Sequence, residues 1–327
     1  MPRKTVNAFA LILVALLAGA CAGGGGGGSG GGGVTPPPPP PPPTTPYVSN
    51  CAITPGALSC QPGSIQVYGP QVAVRADGTT INAIFEGLAF DRHGTTPISD
   101  DTYLVSSFAG ASVIYRYYAD PQSGDDGLGP VRTSANVSRD IFTGAFGPGD
   151  GSVLTLFDIT NVLQGGLDYV QLGRLAPTLY GGNYGFFAVG RTQSSMIMPT
   201  TGSARFDGGT RGAYTNGAGT TYATASDITL NANFGTGAVT GSASNFRMLD
   251  STGAAVTPPH SLNFDFTANI AGSTFTGTAG STSMTGSVNG AFYGEPATTP
   301  AEVGLTYTLR EITGGGMLVG VGGLKKN

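Results

Sequence analysis

The sequence has 327 residues, of which 55 are glycine and only 10% are charged, and its formal net charge at pH 7 is −4. Fifteen lysines and arginines are too few for the basic surface of a nucleic-acid-binding protein, and two histidines and three cysteines are too dispersed for a zinc site. Because 39% of the residues are hydrophobic and the net charge is small, we predict a folded protein behind a short disordered segment.

The amino terminus has the pattern of a lipoprotein export signal. Two basic residues precede an apolar run, residues 8–18, which is too short to span a bilayer, and Gly-Ala-Cys follows it. This pattern resembles a bacterial lipobox, which implies cleavage between Ala20 and Cys21 and attachment of fatty acyl chains, such as palmitate, to Cys21. Ala22 follows in place of an aspartate, which in Gram-negative lipoproteins implies export to the outer membrane. The alternative is an ordinary secretory signal in residues 1–20 with an unmodified cysteine.

Residues 21–46 are predicted to form a disordered tether. Their glycine run, interrupted by one serine, is typical of a flexible coil, and the eight prolines at 36–43 prefer the extended polyproline II helix. Together they would hold a folded domain a few nanometres from a membrane. The alternative is that the prolines are a ligand for a proline-recognition domain.

Cys51 and Cys60 are the two cysteines that remain once Cys21 is acylated. In an exported protein such a pair is predicted to form a disulfide, which would staple the start of the folded region. Pro55 and Gly56 between them favour a turn. A redox-active pair is the alternative, but its usual spacing is the closer C-x-x-C.

Residues 47–182 are predicted to form a β-rich domain. Segments 64–74, 103–108, 111–118 and 153–159 are rich in β-branched and aromatic residues and are separated by turn clusters. The tyrosines of 111–118 are of a type that can ligate haem iron, but aromatic packing across strands explains them without a cofactor. We therefore predict no cofactor, although haem is retained as a possible ligand.

Residues 183–327 are predicted to form a barrel. In 227–234 and 262–270 apolar and polar residues alternate strictly, as in a sheet with one buried and one solvated face. Because the apolar face is rich in phenylalanine, we expect it inside a water-soluble, eight-stranded antiparallel barrel. The eight expected strands lie near 184–193, 201–216, 221–234, 238–250, 261–271, 274–294, 301–310 and 317–325. The small residues expected inside, where they allow strands to bend, are Gly241, Ala243, Gly277, Gly286 and Gly290.

A series of motifs in this half of the chain resembles a known family. They are Tyr169 to Gly173, Tyr184 to Gly190, Met198 to Phe206, Asp227 to Gly241 and Gly286 to Gly294. In this order they resemble the β-barrel domain of transferrin-binding protein B and its relatives, which include factor H binding protein and single-lobed haemoglobin- and haem-binding lipoproteins. The most specific part is Gly290-Ala291-Phe292-Tyr293-Gly294, followed by Glu302-Val303-Gly304.

The resemblance implies an all-β lobe, with a handle-like domain at 47–182 and the barrel at 183–327. It also implies a lipoprotein displayed on the cell surface by a dedicated outer-membrane translocator. Many members bind host iron or haem carriers through variable loops, so the resemblance assigns no ligand-binding residue here.

The function predicted from these observations is that of a binding module for a protein or a haem or iron carrier. Outside the glycine run of the predicted tether the sequence has no G-x-S-x-G, and it has no H-E-x-x-H and no phosphate-binding loop, so we predict that the protein is not an enzyme. The main alternative is a passive surface coat protein or adhesin. A carrier with its ligand inside the barrel is a further alternative.

Overall fold

The structure is a computed structural model that describes residues 51–54, 57–60, 69–74, 80–81, 85–91, 102–109, 112–119, 122–139, 146–159, 166–176, 184–190, 196–295 and 297–327. All of them belong to one compact unit, Thr45–Asn327. The predicted signal, the lipidation site at Ala20 and Cys21 and the tether at 21–46 lie outside the described residues.

In the described residues every regular element is a β-strand, as the sequence predicts, and none is a helix. A helix long and apolar enough to cross a lipid bilayer is accordingly not found in this part of the chain. The strands before the barrel are β1 (Cys51–Thr54), β2 (Ala57–Cys60), β3 (Gln71–Val74), β4 (Thr80–Ile81), β5 (Phe85–Asp91), β6 (Thr102–Ala109), β7 (Ser112–Ala119), β8 (Gln122–Asp125), β9 (Pro130–Arg139), β10 (Phe146–Phe157), β11 (Val170–Ala176) and β12 (Tyr184–Gly190). The later strands are β13 (Ser203–Thr215), β14 (Thr221–Asn233), β15 (Ala238–Leu249), β16 (Phe264–Ala271), β17 (Thr274–Gly280), β18 (Met284–Tyr293), β19 (Glu302–Glu311) and β20 (Met317–Lys326).

The first two strands form an antiparallel ribbon of their own. In its register Cys51 lies directly opposite Cys60. Cα atoms of directly opposed residues in an antiparallel pair are about 4.5–5.5 Å apart, which is within the range that a disulfide spans. The backbone therefore favours the predicted disulfide, which itself stays a prediction.

Strands β3 to β12 form an open sheet, called the open sheet below. Its order is β4-β3-β12-β11-β10-β9-β7-β6-β5, and β8 also pairs with β9. The sequence assigns the run near 184–193 to the barrel, but in the structure it is β12 of the open sheet. The reason is its pairing, since β12 is hydrogen-bonded to β11 on one side and to β3 on the other.

Strands β13 to β20 form a closed antiparallel barrel in which each strand pairs with the next and β20 returns to β13. The prediction of an eight-stranded antiparallel barrel is therefore confirmed. The run expected as one strand at 274–294 is two strands, β17 and β18, joined by a turn at 281–283. The barrel therefore still has eight strands, because this additional strand takes the place of β12.

The apolar face of each barrel strand points inward. In β16, buried and exposed residues alternate from Phe264 to Asn269, and the buried ones join the barrel core. The interior is filled by aromatic rings in mutual contact, with Phe292 touching Phe206, Phe234 and Phe275 at centroid distances of 5.9, 5.8 and 5.5 Å. Threonine, serine and asparagine occupy much of the outer wall, and this explains the low charge of a solvated sheet surface.

Two of the predicted interior glycines lie directly under phenylalanine rings. Gly290 is opposite Phe275, and Gly241 is opposite Phe266. A Cβ atom added to either glycine would lie 2.0 or 2.2 Å from the Cζ atom of the facing ring. The glycines therefore allow each ring to lie flat on the neighbouring strand, and this packing accounts for part of the glycine excess.

The open sheet packs against the outer wall of the barrel. Residues from β3, β10, β11 and β12 share one hydrophobic core with outward-facing residues of β13, β18 and β20. Tyr293 is fully buried in this junction, and its hydroxyl donates a hydrogen bond of 3.2 Å to the carbonyl oxygen of Ala188. The sheet and the barrel are thus joined by a common core.

Candidate functional site

The barrel has two ends, and one of them carries an unusually long loop. The connections at this end are 216–220, 250–263, 281–283 and 312–316, and we call it the His260 end. The β15–β16 connection, 250–263, has fourteen residues, whereas the other three have three to five. Loops this long within compact domains are commonly functional, which makes the His260 end the candidate binding surface.

The first half of the long loop is a hydrogen-bonded turn. The Asp250 carboxylate accepts hydrogen bonds from the Thr252 hydroxyl at 2.7 Å, the Thr252 amide at 2.8 Å and the Ala254 amide at 3.0 Å. These bonds, that of the Thr252 hydroxyl foremost, hold the pKa of Asp250 below its usual range. Val256 then donates a backbone hydrogen bond to Met248, so this half of the loop folds back on β15.

Glu311, at the end of β19, joins several elements at the His260 end. Its Oε1 atom accepts hydrogen bonds from the Tyr214 hydroxyl at 2.5 Å and from Nε2 of His260 at 2.7 Å. Its Oε2 atom accepts one from the Gly316 amide at 2.9 Å. Tyr214 stacks on Tyr222 and meets the His260 ring edge-on, with centroid distances of 6.3 and 6.1 Å. We call Glu311, His260 and Tyr214 the Glu311 cluster.

The protonation of this cluster follows from its contacts. Burial alone would raise the pKa of Glu311, but the hydrogen bonds from Tyr214, His260 and Gly316 outweigh it and lower that pKa. Burial alone would lower the pKa of His260, but its bonds to Glu311 and to the Ser261 carbonyl outweigh it and raise that pKa. Burial and the bond to Glu311 raise the pKa of Tyr214. The contacts of the cluster therefore favour an ionised Glu311 carboxylate, the cationic form of the His260 imidazole and a neutral Tyr214 phenol.

Metal binding has no support at this end. Both nitrogens of His260 are engaged, with Nδ1 2.9 Å from the Ser261 carbonyl oxygen, and the Tyr214 phenol keeps its proton. Within the described part of the chain, no group of three or more His, Cys, Asp or Glu side chains is placed to hold a metal ion.

A second buried carboxylate lies where the open sheet meets the barrel. Glu302, at the start of β19, accepts hydrogen bonds from the amides of Asp168, Tyr169 and Val170 at 2.6, 2.8 and 3.1 Å. Burial raises the pKa of Glu302 to about 7, although these amide bonds oppose the shift. Lys325 of β20 forms an ion pair of 2.8 Å with Asp168. Glu302 therefore fastens the beginning of β11 to the barrel.

The family motif of β18 serves both cores. Gly290 supports the ring of Phe275, Phe292 lies in the barrel core, and Tyr293 points outward into the sheet–barrel junction. Gly294 directly follows the strand, and an added Cβ atom there would lie 3.2 Å from the Thr299 carbonyl oxygen. The residues of the motif thus have packing roles, and none of them lies at the His260 end.

Sequence reasoning did not identify the Glu311 cluster or the partners of Glu302. In the sequence His260 simply follows two prolines, and nothing near it indicates a partner. Glu302 appears only as part of the family motif. A charged residue at the end of an otherwise apolar strand is the one signal that could have indicated each carboxylate, because burial of a charge requires partners.

Comparison with known proteins finds a family that the barrel resembles. Residues 198–326 match the family model of the C-lobe and N-lobe β-barrels of transferrin-binding protein B. The barrel of this chain is therefore similar to the barrels of that family. No curated protein matches the chain.

Solved structures of transferrin-binding protein B match parts of the chain. The protein from Haemophilus parasuis Hp5 is 14% identical over 83% of this chain and 46% of its own, with a TM-score of 0.45. The protein from Actinobacillus pleuropneumoniae H49 is 16% identical over 52% of this chain and 80% of its own, with a TM-score of 0.35. The chain thus spans about half the length of the Haemophilus protein.

Proposed function

We propose that this protein is a lipid-anchored surface protein that captures a protein ligand with the His260 end of its barrel. The observation that carries the proposal is the match of residues 198–326 to the barrels of a transferrin-binding protein. For the ligand we propose an iron- or haem-carrier protein, which is the class that the family suggests.

The packing of the barrel favours a ligand outside it. Side chains from all eight strands meet in one apolar core that fills the interior, and several of its phenylalanine rings are in contact with one another. A carrier that encloses its ligand needs a cavity instead. The loops are therefore the surface on which we place the ligand.

The placement of exposed hydrophobic residues singles out particular loops. Among the described residues, two large hydrophobic side chains are strongly exposed, Ile197 at 56% and Ile312 at 61%. Ile312 lies at the His260 end, directly after Glu311, and its amide is held by the Ser283 carbonyl. Ile197 lies at the opposite end, where it bonds to Thr298. An apolar side chain on a well-held loop is a suitable anchor for a protein partner.

The order of segments that we propose is a signal at 1–20, a tether at 21–46, a handle-like domain that starts at 47 and includes β12 (Tyr184–Gly190), and a barrel domain after it. Acylation of Cys21 after cleavage at Ala20 would anchor the chain to the outer membrane, and a surface-lipoprotein translocator would bring it to the cell surface. The opposed positions of Cys51 and Cys60 support the disulfide between them. Mass spectrometry of the mature protein tests both, since an unmodified Cys21 or free thiols at Cys51 and Cys60 would contradict them.

Surface display is tested by protease treatment of whole cells. We expect residues 47–327 to be released from intact cells, and from cells with Cys21→Ala we expect none at the surface. Full protection of the folded part in intact cells would contradict display.

Capture is tested by a pull-down from host fluid, in which residues 47–327 are the immobilised protein. Expression of the protein is compared in cells grown with and without iron. We expect a carrier protein to be retained, and Ile312→Ser to reduce the retained amount while the matched variant Ile197→Ser does not. A passive coat protein or adhesin would retain no carrier and show no iron-linked expression, and that result would replace our proposal with the alternative. Catalysis plays no part in the proposed function.

A further inference from the structure

The second half of the long loop depends on side chains for its position. Residues 257–263 contain Pro258 and Pro259, which have no amide hydrogen to donate to a neighbouring strand. Leu262 is buried in the barrel core and holds the end of the loop. Between the prolines and Leu262, the contacts that reach other strands are both made by His260, which is bonded to Glu311 of β19 and meets the Tyr214 ring of β13 edge-on.

The hydrogen bonds of His260 require a particular charge state. Its Nε2 atom faces a carboxylate oxygen of Glu311, and its Nδ1 atom faces the carbonyl oxygen of Ser261. Both oxygens only accept hydrogen bonds, and a neutral imidazole has one N–H donor. Only the imidazolium cation, with two donors, satisfies both contacts at once.

Glu311 is itself held in place by groups other than His260. The Tyr214 hydroxyl of β13 and the Gly316 amide of the 312–316 loop fix both of its oxygens. Glu311 is therefore a rigid acceptor on the barrel, to which the loop attaches through His260.

We propose that Glu311 is a positioning residue that holds the second half of the 250–263 loop in its binding conformation through His260, and that this half is released as His260 loses its proton. The link to binding rests on the proposed function, whereas the ordering of the loop does not. The prolines and Leu262 limit the movement to the segment between them.

The titratable groups facing His260 come from three strands. They are Tyr214 of β13, Tyr222 of β14, which stacks on Tyr214, and Glu311 of β19. Asp250, on the same loop, is engaged with Thr252 and Ala254. Glu311 is thus the group that supplies a negative charge to His260.

The direction of the pH dependence follows from the two shifts. Because the pKa of His260 is raised from 6.5, the contact is complete below pH 6.5 and is lost as the pH rises through the raised value. Because the pKa of Glu311 is lowered from 4.5, the contact persists above pH 4.5 and is lost only at more acidic pH. The loop is therefore best held between these two values and loosens on the alkaline side.

The first measurement is an NMR titration of the histidine ring protons in residues 47–327. His93 and His260 are the two histidines of the chain, so the variant His93→Gln assigns the signals. We expect a pKa above 6.5 for His260, and a fall of about one pH unit in Glu311→Gln, because the charge partner is lost. The exposed carboxylate Asp265 provides the control, and Asp265→Asn is expected to leave the titration of His260 unchanged.

The second measurement is hydrogen–deuterium exchange of the loop, corrected for intrinsic exchange rates. In the unchanged protein we expect the amides of His260 and Ser261, which lie between the prolines and Leu262, to exchange several-fold faster at pH 8 than at pH 6. In His260→Gln, which leaves Tyr214 and Gly316 bonded to Glu311, the loop should exchange at the faster rate at both pH values. If Glu311→Gln fails to fold, the exchange of His260→Gln still tests the proposal.

Equal exchange at pH 6 and pH 8 in the unchanged protein would overturn the proposal, as would a His260 titration unaffected by Glu311→Gln. Both measurements are made without ligand, so they decide the loop proposal independently of capture. If both measurements give the expected results and the pull-down retains no carrier, the proposed function is wrong and the loop proposal is still supported.

Discussion

At the scale of single residues, the glycines of the barrel interior are packing residues. Gly290 has an ordinary strand neighbourhood in the sequence, but its missing side chain makes room for the Phe275 ring, whose Cζ atom is 2.0 Å from the position of a Cβ atom. We expect Gly290→Ala to destabilise the protein by about 1–3 kcal/mol, because the ring has to move out of a filled core. Gly235→Ala, whose added Cβ would be 3.5 Å from the Asn233 side chain, should change stability little. Thermal unfolding of the two variants checks this, and equal melting temperatures would contradict it.

Buried hydroxyl groups give a second prediction at this scale. Thr224 and Thr210 are both fully buried inside the barrel, on neighbouring strands. Thr210 shares a hydrogen bond of 2.6 Å with Ser226, whereas the Thr224 hydroxyl has no partner among the described residues. Thr224→Val is therefore expected to stabilise the protein by about 1 kcal/mol, and Thr210→Val to destabilise it by about the same amount. Chemical denaturation measures both, and a loss of stability in Thr224→Val would show that its hydroxyl is hydrogen-bonded.

At the scale of elements, the two buried carboxylates join strands that are far apart in the chain. Glu302 connects β19 with the start of β11, and Glu311 connects β19 with β13 and with the 250–263 loop. Both lie at the ends of one strand, so β19 fastens the open sheet at one end and the candidate binding loop at the other. A single strand thereby orients both parts relative to the barrel.

Glu302 gives the prediction at this scale. Since burial raises its pKa from 4.5 to about 7, the folded state holds a proton there that the unfolded state releases at pH 4.5, and stability falls as the pH rises between these values. In Glu302→Gln, which cannot ionise, this loss of up to about 3 kcal/mol should be absent. Urea denaturation at pH 5 and pH 8 compares the two proteins. Equal changes in free energy of unfolding would show that Glu302 stays ionised over this range.

At the scale of the whole molecule, the barrel and the open sheet depend on each other. Outward-facing residues of the barrel wall, Ala213, Tyr293, Val319 and Val321 among them, are covered by the open sheet. A barrel made alone would expose this patch to water, and contiguous apolar patches of this kind favour association.

We therefore expect residues 196–327 alone to bind a hydrophobic dye and to aggregate, whereas residues 47–327 remain monomeric. Light scattering and dye fluorescence of the two proteins provide the measurement. Tyr293→Ser in the shorter protein should reduce dye binding, since it removes the largest side chain of the patch. A monomeric, dye-free barrel would show that the wall does not need its cover.

Much of this architecture is determined by the sequence. Strict alternation in 227–234 and 262–270 predicts strands with one buried face, because successive side chains of a strand point to opposite sides. A phenylalanine-rich apolar face indicates a packed interior, and this is what the barrel contains. Short alternating segments with glycine turns also determine that neighbouring strands pair in sequence, since a tight turn joins antiparallel neighbours.

Tertiary structure decided the remaining features, because they depend on contacts between distant parts of the chain. The apolar pattern of β12 suits either sheet, and its pairing with β3, more than a hundred residues earlier, assigned it to the open sheet. In the same way, Glu302 meets amides 132 to 134 residues away, and Glu311 meets Tyr214 across 97 residues. The alternation of apolar and polar residues indicates which face of a strand is buried. Which other strand or sheet covers that face depends on the packing of the whole fold.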